Sequence, residues 1–296
     1  ALRRDHERKN AKRMPIVPMT ADHIPLKSQE GSGPAIEAAM GQLYDHYFSC
    51  HAYAQRYPRP NLATLQFLLE NGAHGAKRIL DYGCGNGRYA LALLQTTQAH
   101  LTGYDISSEA LKEFESHLAL GEDAARTVLL LGPQANIGDH APFDVILLLF
   151  GVLSHLGERP VRLAVLRQLH HCLSPQGKLI VTVPNIWRRR PREMLLTGLA
   201  RRFRRATGAR REDGNILFTR NLAGTPHQFF YHLYSVKSLT EELTEAGFVL
   251  QAVAAESLLP EWLVTQYPAI GRIDAALCRW LPASLGYGIR VVARIP

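Results

Sequence analysis

Short apolar runs alternate with longer segments that repeat apolar residues at helical spacing through the middle of the chain. A short continuous apolar run is typical of a buried strand, and a period near 3.6 residues is typical of an amphipathic helix. The runs predict strands at 78–81, 101–105, 127–131, 143–149 and 178–183. The segments between them predict helices at 88–94, 108–120 and 159–173. This alternation indicates a parallel sheet with helices on both faces.

The last third of the chain adds one helix and two strands to this pattern. A helix at 236–246 ends at Gly247 and leads into a sixth strand at 248–255, and the alternation over 289–294 predicts a seventh. The fold class is therefore α/β, a doubly wound, mostly parallel seven-stranded sheet. A further amphipathic helix is predicted to cover this sheet with the apolar residues Ile270, Ile273, Leu277, Trp280 and Leu281.

Three segments lie outside this predicted core of residues 77–296. Residues 1–34 form a polar, basic tail that is expected to be mobile. Residues 35–76 are helical in pattern and rich in tyrosine, and they are expected to close over the site as a lid. Residues 186–234 interrupt the core with an arginine-rich insert, followed by a segment that is expected to form one wall of the site. The tyrosines assigned to the lid are Tyr44, Tyr47 and Tyr53.

The first predicted strand ends in a loop with three glycines at alternate positions, Gly83, Gly85 and Gly87. Glycine permits positive φ and lets backbone N–H groups approach a ligand closely. A dinucleotide-binding fingerprint would place its third glycine at position 88, where this chain has Arg88. The loop indicates a site for an anionic or nucleoside ligand of a different kind, with a purely structural turn as the alternative.

Asp105 stands at the end of the second predicted strand, where an acidic residue is placed to accept hydrogen bonds from ribose hydroxyls. The next residue, Ile106, would pack on the ribose or adenine face, and Ser107 and Ser108 could cap the following helix. The alternative is that Asp105 caps this helix itself. Its separation from the glycine loop favours ribose binding.

The pattern Asp81-x-Gly83-x-Gly85-x-Gly87 resembles the first motif of class I S-adenosylmethionine (SAM)-dependent methyltransferases. The order of elements over about 77–185 and 235–296 is similar to the Rossmann-like core of that family. The resemblance implies SAM as cofactor, with S-adenosylhomocysteine as product, and implies that Asp81 receives the amino group of SAM. It also implies an adenine contact after the third strand, where this chain offers Gln134 rather than a carboxylate, with Asp139 in the following loop as the alternative. The cofactor-binding candidates are Asp81, Gly83, Cys84, Gly85, Gly87, Asp105, Ile106, Gln134 and Phe150.

Two segments provide candidates for the acceptor side. The segment from Phe150 to Leu156 follows the fourth strand, and His155 in it could accept a proton or serve packing and capping. The segment 225–234 resembles in part a "Y-H-x-F" segment of tRNA wobble-uridine carboxymethyl methyltransferases. Its alternative is a strand with aromatic core contacts. The catalytic candidates are His155, His227, Tyr231 and His232.

Positive charge is concentrated in one place. The net charge of the chain is +8, yet the segment from Arg188 to Arg211 alone holds ten arginines and one acidic residue. This arginine segment also shows apolar residues on one helical face, which predicts an amphipathic basic helix near 192–205. Such a helix could bind RNA phosphates or an anionic membrane surface, or it could be a solvated face.

The rest of the composition narrows the class of protein. No apolar stretch is long enough to span a bilayer, and the four cysteines lack the spacing of metal ligands. These features favour a cytoplasmic protein without a metal, with peripheral membrane association as an option. The predicted activity is methyl transfer from SAM to an O or N nucleophile of a small or lipid-linked acceptor. The alternatives are methylation of a modified tRNA uridine and a non-catalytic SAM- or RNA-binding partner.

Overall fold

The computed structural model describes residues 33–118, 122–189, 214–222 and 225–296. The strands in chain order are β1 Arg78–Tyr82, β2 His100–Asp105, β3 Thr127–Leu131, β4 Phe143–Leu148, β5 Leu173–Pro184, β6 Asn215–Leu222, β7 Thr225–His232, β8 Val249–Ser257 and β9 Gly288–Arg294. The helices are α1 Gly33–Ser49, α2 Ala52–Arg56, α3 Leu62–Glu70, α4 Ala90–Thr96, α5 Ser108–Leu118, α6 Val152–His155, α7 Arg159–His171, α8 Ile186–Arg189, α9 Val236–Glu245, α10 Glu261–Gln266 and α11 Pro268–Cys278.

Seven of these strands form one sheet in the order β3-β2-β1-β4-β5-β9-β8. Strands β1 to β5 pair in parallel, and β9 runs antiparallel between β5 and β8. The predicted seven-stranded, mostly parallel α/β fold is therefore confirmed. Because the parallel strands all end at one edge, the loops after β1, β2, β4 and β5 share that edge, where ligands bind in such sheets.

The bounds of two predicted elements differ from the structure. Helix α4 begins at Ala90 rather than at position 88, because the turn that follows the three glycines continues through Arg88 and Tyr89. Strand β5 begins at Leu173 rather than at position 178, and residues 174–177 form a bulge within it. Phe143 of β4 pairs with Leu173, whereas Val145 pairs with Lys178, so the bulge takes up the extra residues.

Apolar side chains fill both faces of the sheet. The central strand β4 is buried along nearly its whole length, as the continuous apolar run predicts. On one face, α7 buries a stripe of Leu163, Leu166 and Leu169 at helical spacing. On the other face, α3 and α4 contribute Leu68 and Leu93. Two layers of helices thus hold the strand ends in fixed positions.

The predicted N-terminal helical segment consists of parts with different roles. Helix α3 belongs to the core, with Leu68 completely buried against the sheet. Helices α1 and α2, which we call the lid helices, instead pack against the hairpin β6–β7. That hairpin is a separate two-stranded sheet, and it contains most of the 225–234 segment, so the strand alternative for this segment is confirmed.

The prediction that the last amphipathic helix covers the sheet with its apolar stripe is wrong. Ile273, Leu277 and Trp280 are exposed. Helix α11 turns a different face inward, with Gly271, Asp274 and Cys278 buried. Helical spacing identified residues that share a face, but the buried contacts of Asp274 decide which face points inward.

Several predictions lie outside the described residues. They concern residues 1–32 of the tail predicted at 1–34, the amphipathic basic helix near 192–205, and the rest of the arginine segment from position 190. Within the described residues, no helix is long and apolar enough to cross a membrane. The four cysteines, all described, are unpaired.

Candidate active site

The glycine loop, residues 83–87, joins β1 to α4. Gly83 and Gly87 have φ of +80° and +78°, in the left-handed region that side chains other than glycine rarely adopt. A Cβ at Gly83 would overlap Val152, and one at Gly87 would overlap the ring of Phe114. The sequence therefore needs glycine at both positions for backbone conformation and for packing.

Hydrogen bonds from the end of β2 hold the glycine loop. The backbone N–H groups of Gly83 and Cys84 both donate to the carbonyl of Tyr104, at 2.6 and 3.0 Å. The N–H of Gly85 donates to Oδ2 of Asp105 at 2.7 Å. The thiol of Cys84 is buried in the core cluster between α4 and α5, and burial raises its pKa. Cys84 can thus offer a ligand only its backbone.

Asp81 presents a buried carboxylate at the carboxyl end of β1. The residue is only 3% exposed, and within the described part of the chain no hydrogen bond or ion pair to its carboxylate is found. Burial raises its pKa to about 7, with the nearby Asp105 adding to the rise and Arg88 opposing it. An unpaired carboxylate in such a place is costly unless it is protonated or meets a cation. The site is therefore suited to a positively charged group.

Asp105 lies next to this carboxylate, at the end of β2. Its Oδ1 accepts a hydrogen bond from the N–H of Ser107 at 2.9 Å, while Oδ2 accepts that of Gly85. Desolvation outweighs these bonds and raises its pKa to about 6. Since a carboxylate has about four acceptor positions, two remain for a ligand hydroxyl pair. Asp105 thus braces the glycine loop, a role that the sequence did not predict.

The lid helices are fixed directly over this region. Oδ1 of Asp45 in α1 accepts hydrogen bonds from Ser107 Oγ at 2.8 Å and from the N–H of Glu109 at 3.1 Å. This external carboxylate caps the start of α5, where a helix favours negative charge. The ring of Phe48 lies 3.2 Å from the Cβ position of Gly85. Ile106 packs against the same lid cluster.

Aromatic rings from the lid helices and from the end of β4 surround Arg88. The guanidinium carbon lies 4.5 Å from the ring centroid of Phe150 and 5.5 Å from that of Tyr57. Arg88 is buried, pairs with Glu261 of α10 at 3.3 Å, and leaves its Nε and Nη2 without a hydrogen-bond partner. Cation–π contacts and one ion pair therefore replace its hydration. Arg88 links the glycine loop to α10.

Gln134, the candidate for the adenine contact, is placed at an exposed turn after β3. Strand β3 is the edge of the sheet and pairs with β2, so that Leu131 lies beside Asp105. The N–H of Gly132 donates to the carbonyl of Asp105 at 2.9 Å, which brings this turn to the site edge. Gln134 is near enough along the chain to remain a candidate, and no described contact fixes its side chain.

His155 and Tyr231 come together beyond β4. Their ring centroids are 4.5 Å apart, and Tyr44 of α1 packs edge-on against His155 at 5.6 Å. Nδ1 of His155 is 2.9 Å from the carbonyl of Phe230. Because a carbonyl only accepts, this bond assigns the proton to Nδ1 and makes Nε2 a proton acceptor in the neutral ring.

The other two histidine candidates lie elsewhere in the hairpin. Side chains alternate along β7, so His232 points to the face opposite Tyr231. His232 is buried against Asn215, and burial together with Arg162 lowers its pKa to about 3. His227 shares the face of Tyr231 but stacks on His46 of α1, with centroids 5.1 Å apart. The structure thus brings His155 and Tyr231 together and separates both from His227 and His232.

A pocket opens at the carboxyl ends of β4 and β5, which we call the acceptor pocket. Phe150, which has a φ of +57°, stands at its entrance from β4, and its N–H donates to Thr182 Oγ1 at 2.6 Å. Two buried carboxylates line the pocket, and burial with the charge of Glu261 raises the pKa of Glu256 to about 8. The polar and aromatic lining residues are Phe150, Arg189, Tyr231, Glu256, Glu261 and Tyr287.

The family model of a methyltransferase domain matches residues 51–253, more than two thirds of the chain. The chain belongs to this methyltransferase family. It is a SAM-dependent enzyme, as the glycine loop and Asp105 predicted. A comparison with curated protein sequences found no match.

Solved methyltransferase structures share the fold at low sequence identity. A 1,6-didemethyltoxoflavin-N1-methyltransferase of Burkholderia thailandensis has a TM-score of 0.60 and 16% identity, over 92% of this chain and 93% of that one. The CcbJ methyltransferase of Streptomyces caelestis has a TM-score of 0.55 and 18% identity, over 80% and 90%. The glycopeptide N-methyltransferase MtfA has a TM-score of 0.54 and 16% identity, over 81% and 92%. These comparisons confirm the fold class.

The described residues of this methyltransferase fit SAM. The unpaired carboxylate of Asp81 suits the amino group of the cofactor, and the remaining acceptor positions of Asp105 suit the two ribose hydroxyls. Ile106 offers an apolar surface beside Asp105. The roles of individual residues remain predictions, and the orphaned charge of Asp81 is the observation that supports them best.

Sequence reasoning did not identify several residues of the site. Asp45, Glu256 and Glu261 are single acidic residues in otherwise ordinary segments, and only the fold brings them to the site. In the sequence, Arg88 stands out only as the residue at the position where a dinucleotide-binding fingerprint has its third glycine. A weak signal existed for it, because a basic residue directly after a glycine loop at the start of a helix is unfavourable for the helix dipole.

Proposed function

We propose that this methyltransferase transfers the methyl group of SAM to an O or N nucleophile of a small or lipid-linked acceptor held in the acceptor pocket. The observation that supports this best is the aromatic wall around the site. Tyr44 of the lid packs on His155 and on Phe229 of β7, with centroids 5.6 and 5.9 Å apart. The lid, α6 and the hairpin therefore close the site on one side. Such a closed site favours a small acceptor group over a folded RNA.

In the proposed reaction, the protein binds and aligns the two reactants. When bound, SAM supplies an electrophilic methyl group on its sulfonium. The carboxylates of Asp81 and Asp105 hold the amino group and the ribose of the cofactor, and the glycine loop lets it lie close to the backbone. The lid rings exclude water from this side. Alignment of the nucleophile with the methyl group is then the main contribution of the pocket.

A proton must leave many O and N acceptors, and two groups could accept it, Glu256 in the pocket lining and His155 behind the lining residue Tyr231. His155 has the tautomer in which Nε2 accepts, because its Nδ1 donates to the carbonyl of Phe230. Glu256 has a pKa of about 8, close to the range in which a general base works well. We favour His155, because it packs directly on Tyr231 at the pocket wall.

The alternative acceptor is RNA, specifically a modified tRNA uridine. It is supported by the ten arginines of the arginine segment and by the similarity around Tyr231 and His232. His232 is buried on the far face of β7, so of these two residues only Tyr231 lines the pocket. We therefore propose the small or lipid-linked acceptor first.

The experiment is methyl transfer from isotope-labelled SAM into a cell extract that is then separated into RNA, lipid and small molecules. We expect label in the small-molecule or lipid fraction with the natural protein. The Asp105→Ala variant should lose both the label and SAM binding measured by calorimetry. Glu115→Ala, which removes an exposed carboxylate from α5, serves as the matched control and should retain both.

Other outcomes would contradict separate parts of the proposal. Label found only in RNA, with RNA retention that falls steeply with salt, would replace the acceptor assignment. Unchanged SAM affinity in Asp105→Ala would overturn the cofactor assignment instead.

A further inference from the structure

Helix α11 presents large apolar side chains to solvent. Ile273 is 63% exposed, Leu277 51% and Trp280 89%. Ile273 and Leu277 are four positions apart on the helix, and Trp280 extends this stripe from the turn that follows Cys278, where its N–H donates to the carbonyl of Leu277. Tyr267 before it and Leu285 after it are also half-exposed. Single exposed apolar residues are ordinary, but a contiguous set marks an interaction surface.

The opposite face of α11 fixes this orientation. Oδ1 of Asp274 accepts hydrogen bonds from the N–H groups of Leu258 and Leu259, each at 3.0 Å. Its Oδ2 accepts the hydroxyl of Ser257 at 2.9 Å. Asp274 is buried, so rotating the helix would break three hydrogen bonds to a charged group. The apolar stripe is therefore held outward by the fold.

Positive charge prevails beside the stripe, although Glu70 of α3 lines one cavity together with Arg279 and Leu281. Arg272 and Arg279 are seven positions apart and exposed along one flank of it, and within the described residues neither forms an ion pair. Asp274 is the only acidic residue from position 267 to 285, and it points inward. Arg188 adds further positive charge nearby, since its Nη2 donates to the carbonyl of Leu258 at 3.0 Å.

This charge pattern decides between two partners for an apolar face. In a symmetric dimer, two copies of the face would bring four arginines together against two Glu70 side chains, so the interface would carry excess positive charge. An anionic bilayer offers apolar chains to the stripe and phosphates to the arginines. Tryptophan and arginine are also the residues that favour the membrane–water interface.

We propose that α11 docks the protein on an anionic lipid bilayer. Ile273, Leu277 and Trp280 enter the boundary between headgroups and acyl chains, and Arg272 and Arg279 bind lipid phosphates. This docking goes beyond methyl transfer and does not depend on the identity of the acceptor. Helix α10, which precedes α11, carries Glu261 of the acceptor pocket, so one helical pair contributes both to the pocket and to the docking face.

The test measures flotation of the full chain with vesicles of phosphatidylcholine alone or mixed with phosphatidylglycerol. We expect binding to the mixed vesicles only, with a blue shift of tryptophan fluorescence that Trp280→Phe removes. The double variant Leu277→Ser/Trp280→Ser should lower the partition coefficient by about tenfold or more. Arg272→Gln/Arg279→Gln should weaken binding and its salt dependence.

Matched variants control for general effects of apolarity and charge. Val128→Ser/Leu131→Ser removes two exposed apolar residues from β3, at the opposite edge of the sheet, and should bind as the natural protein does. Lys112→Gln/Lys237→Gln removes the same charge from exposed sites on α5 and α9. Thermal unfolding checks that each variant folds.

Three results would overturn the proposal. The first is equal vesicle binding by the α11 variants and their controls. The second is no binding of the natural protein to anionic vesicles. The third is self-association in sedimentation without vesicles that Leu277→Ser/Trp280→Ser abolishes, because α11 would then be an interface between two copies of the chain.

Discussion

The two halves of the site are built in different ways. The cofactor half comes from one short stretch, with Asp81, the glycine loop and Asp105 at the ends of adjacent strands β1 and β2. The acceptor half draws on five distant segments, including Phe150, Tyr231 and Glu256. In the first half, backbone conformation and two carboxylates define the chemistry. In the second half, packing between remote elements defines it.

This difference suggests how the two halves respond to change. The cofactor half is held by hydrogen bonds within the loop and strand ends, so its variants should alter SAM affinity or folding directly. The acceptor half is held by rings and by buried charges from several elements, so its variants should alter methyl transfer with little effect on SAM affinity. Four substitutions test this separation.

Gly87→Ala should have the largest effect, on folding itself. The substitution places a Cβ at a φ of +78° and against the ring of Phe114. Strain and overpacking together should lower the free energy of unfolding by about 3 kcal/mol or more. Gly75→Ala is the control, because its φ is ordinary and no atom lies within 4 Å of its Cβ position. Equal unfolding free energies in denaturant for both variants would contradict the structure of the loop.

Asp81→Asn should weaken SAM binding by about 30-fold, since the amino group loses its charged partner. The same change should stabilise the ligand-free protein above pH 7. The folded-state pKa of Asp81, about 7, is above its ordinary value of 3.8, so its favourable contribution is complete below about pH 4 and is lost as the pH rises to 7.

Calorimetry with SAM and denaturant unfolding between pH 4 and pH 8 check both parts of this prediction. The variant should show a flatter dependence of stability on pH than the natural protein. Unchanged SAM affinity with unchanged pH dependence would show that Asp81 is neither buried nor a cofactor ligand.

Glu256→Gln should change methyl transfer, which depends on the acceptor half, and leave SAM binding by the cofactor half unchanged. Its pKa of about 8, against an ordinary 4.5, means that it loses its contribution to stability as the pH rises from about 4.5 to 8. The variant should therefore be more stable than the natural protein above pH 8, by about 1–2 kcal/mol. SAM affinity should stay within about twofold, while methyl transfer changes. A large loss of SAM affinity would place Glu256 in the cofactor half.

His155→Asn should have the smallest effect on stability. An asparagine amide can still donate to the carbonyl of Phe230, so the free energy of unfolding should change by about 1 kcal/mol or less. Methyl transfer should fall, because Nε2 is lost as a proton acceptor. His155→Ala removes both functions and serves for comparison. Full activity in His155→Asn would exclude proton transfer by His155 and leave Glu256 as the candidate.

The positions of the core strands along the chain and the fold class could be predicted from the sequence because their signals are local, and the cofactor half, whose residue roles stay predictions, rests on local signals too. Apolar runs predict strands within a few residues, and glycines at alternate positions report a backbone conformation. Even there, the sequence missed that Asp105 accepts the N–H of Gly85 and that Asp45 caps α5. Asp45 is remote in sequence from the helix that it caps, so no local pattern connects the two. Asp105 was expected to bind a ligand, which gave no reason to pair it with Gly85.

The acceptor half and the surface of α11 were decided only by the tertiary structure. Alternation along β7 shows that Tyr231 and His232 point in opposite directions, but only the packing of the hairpin on α6 sends Tyr231 to the pocket. The helical spacing in α11 and the turn after it groups Ile273, Leu277 and Trp280, but the buried hydrogen bonds of Asp274 turn that group outward. Periodicity determines which residues share a face, and long-range packing determines where that face points.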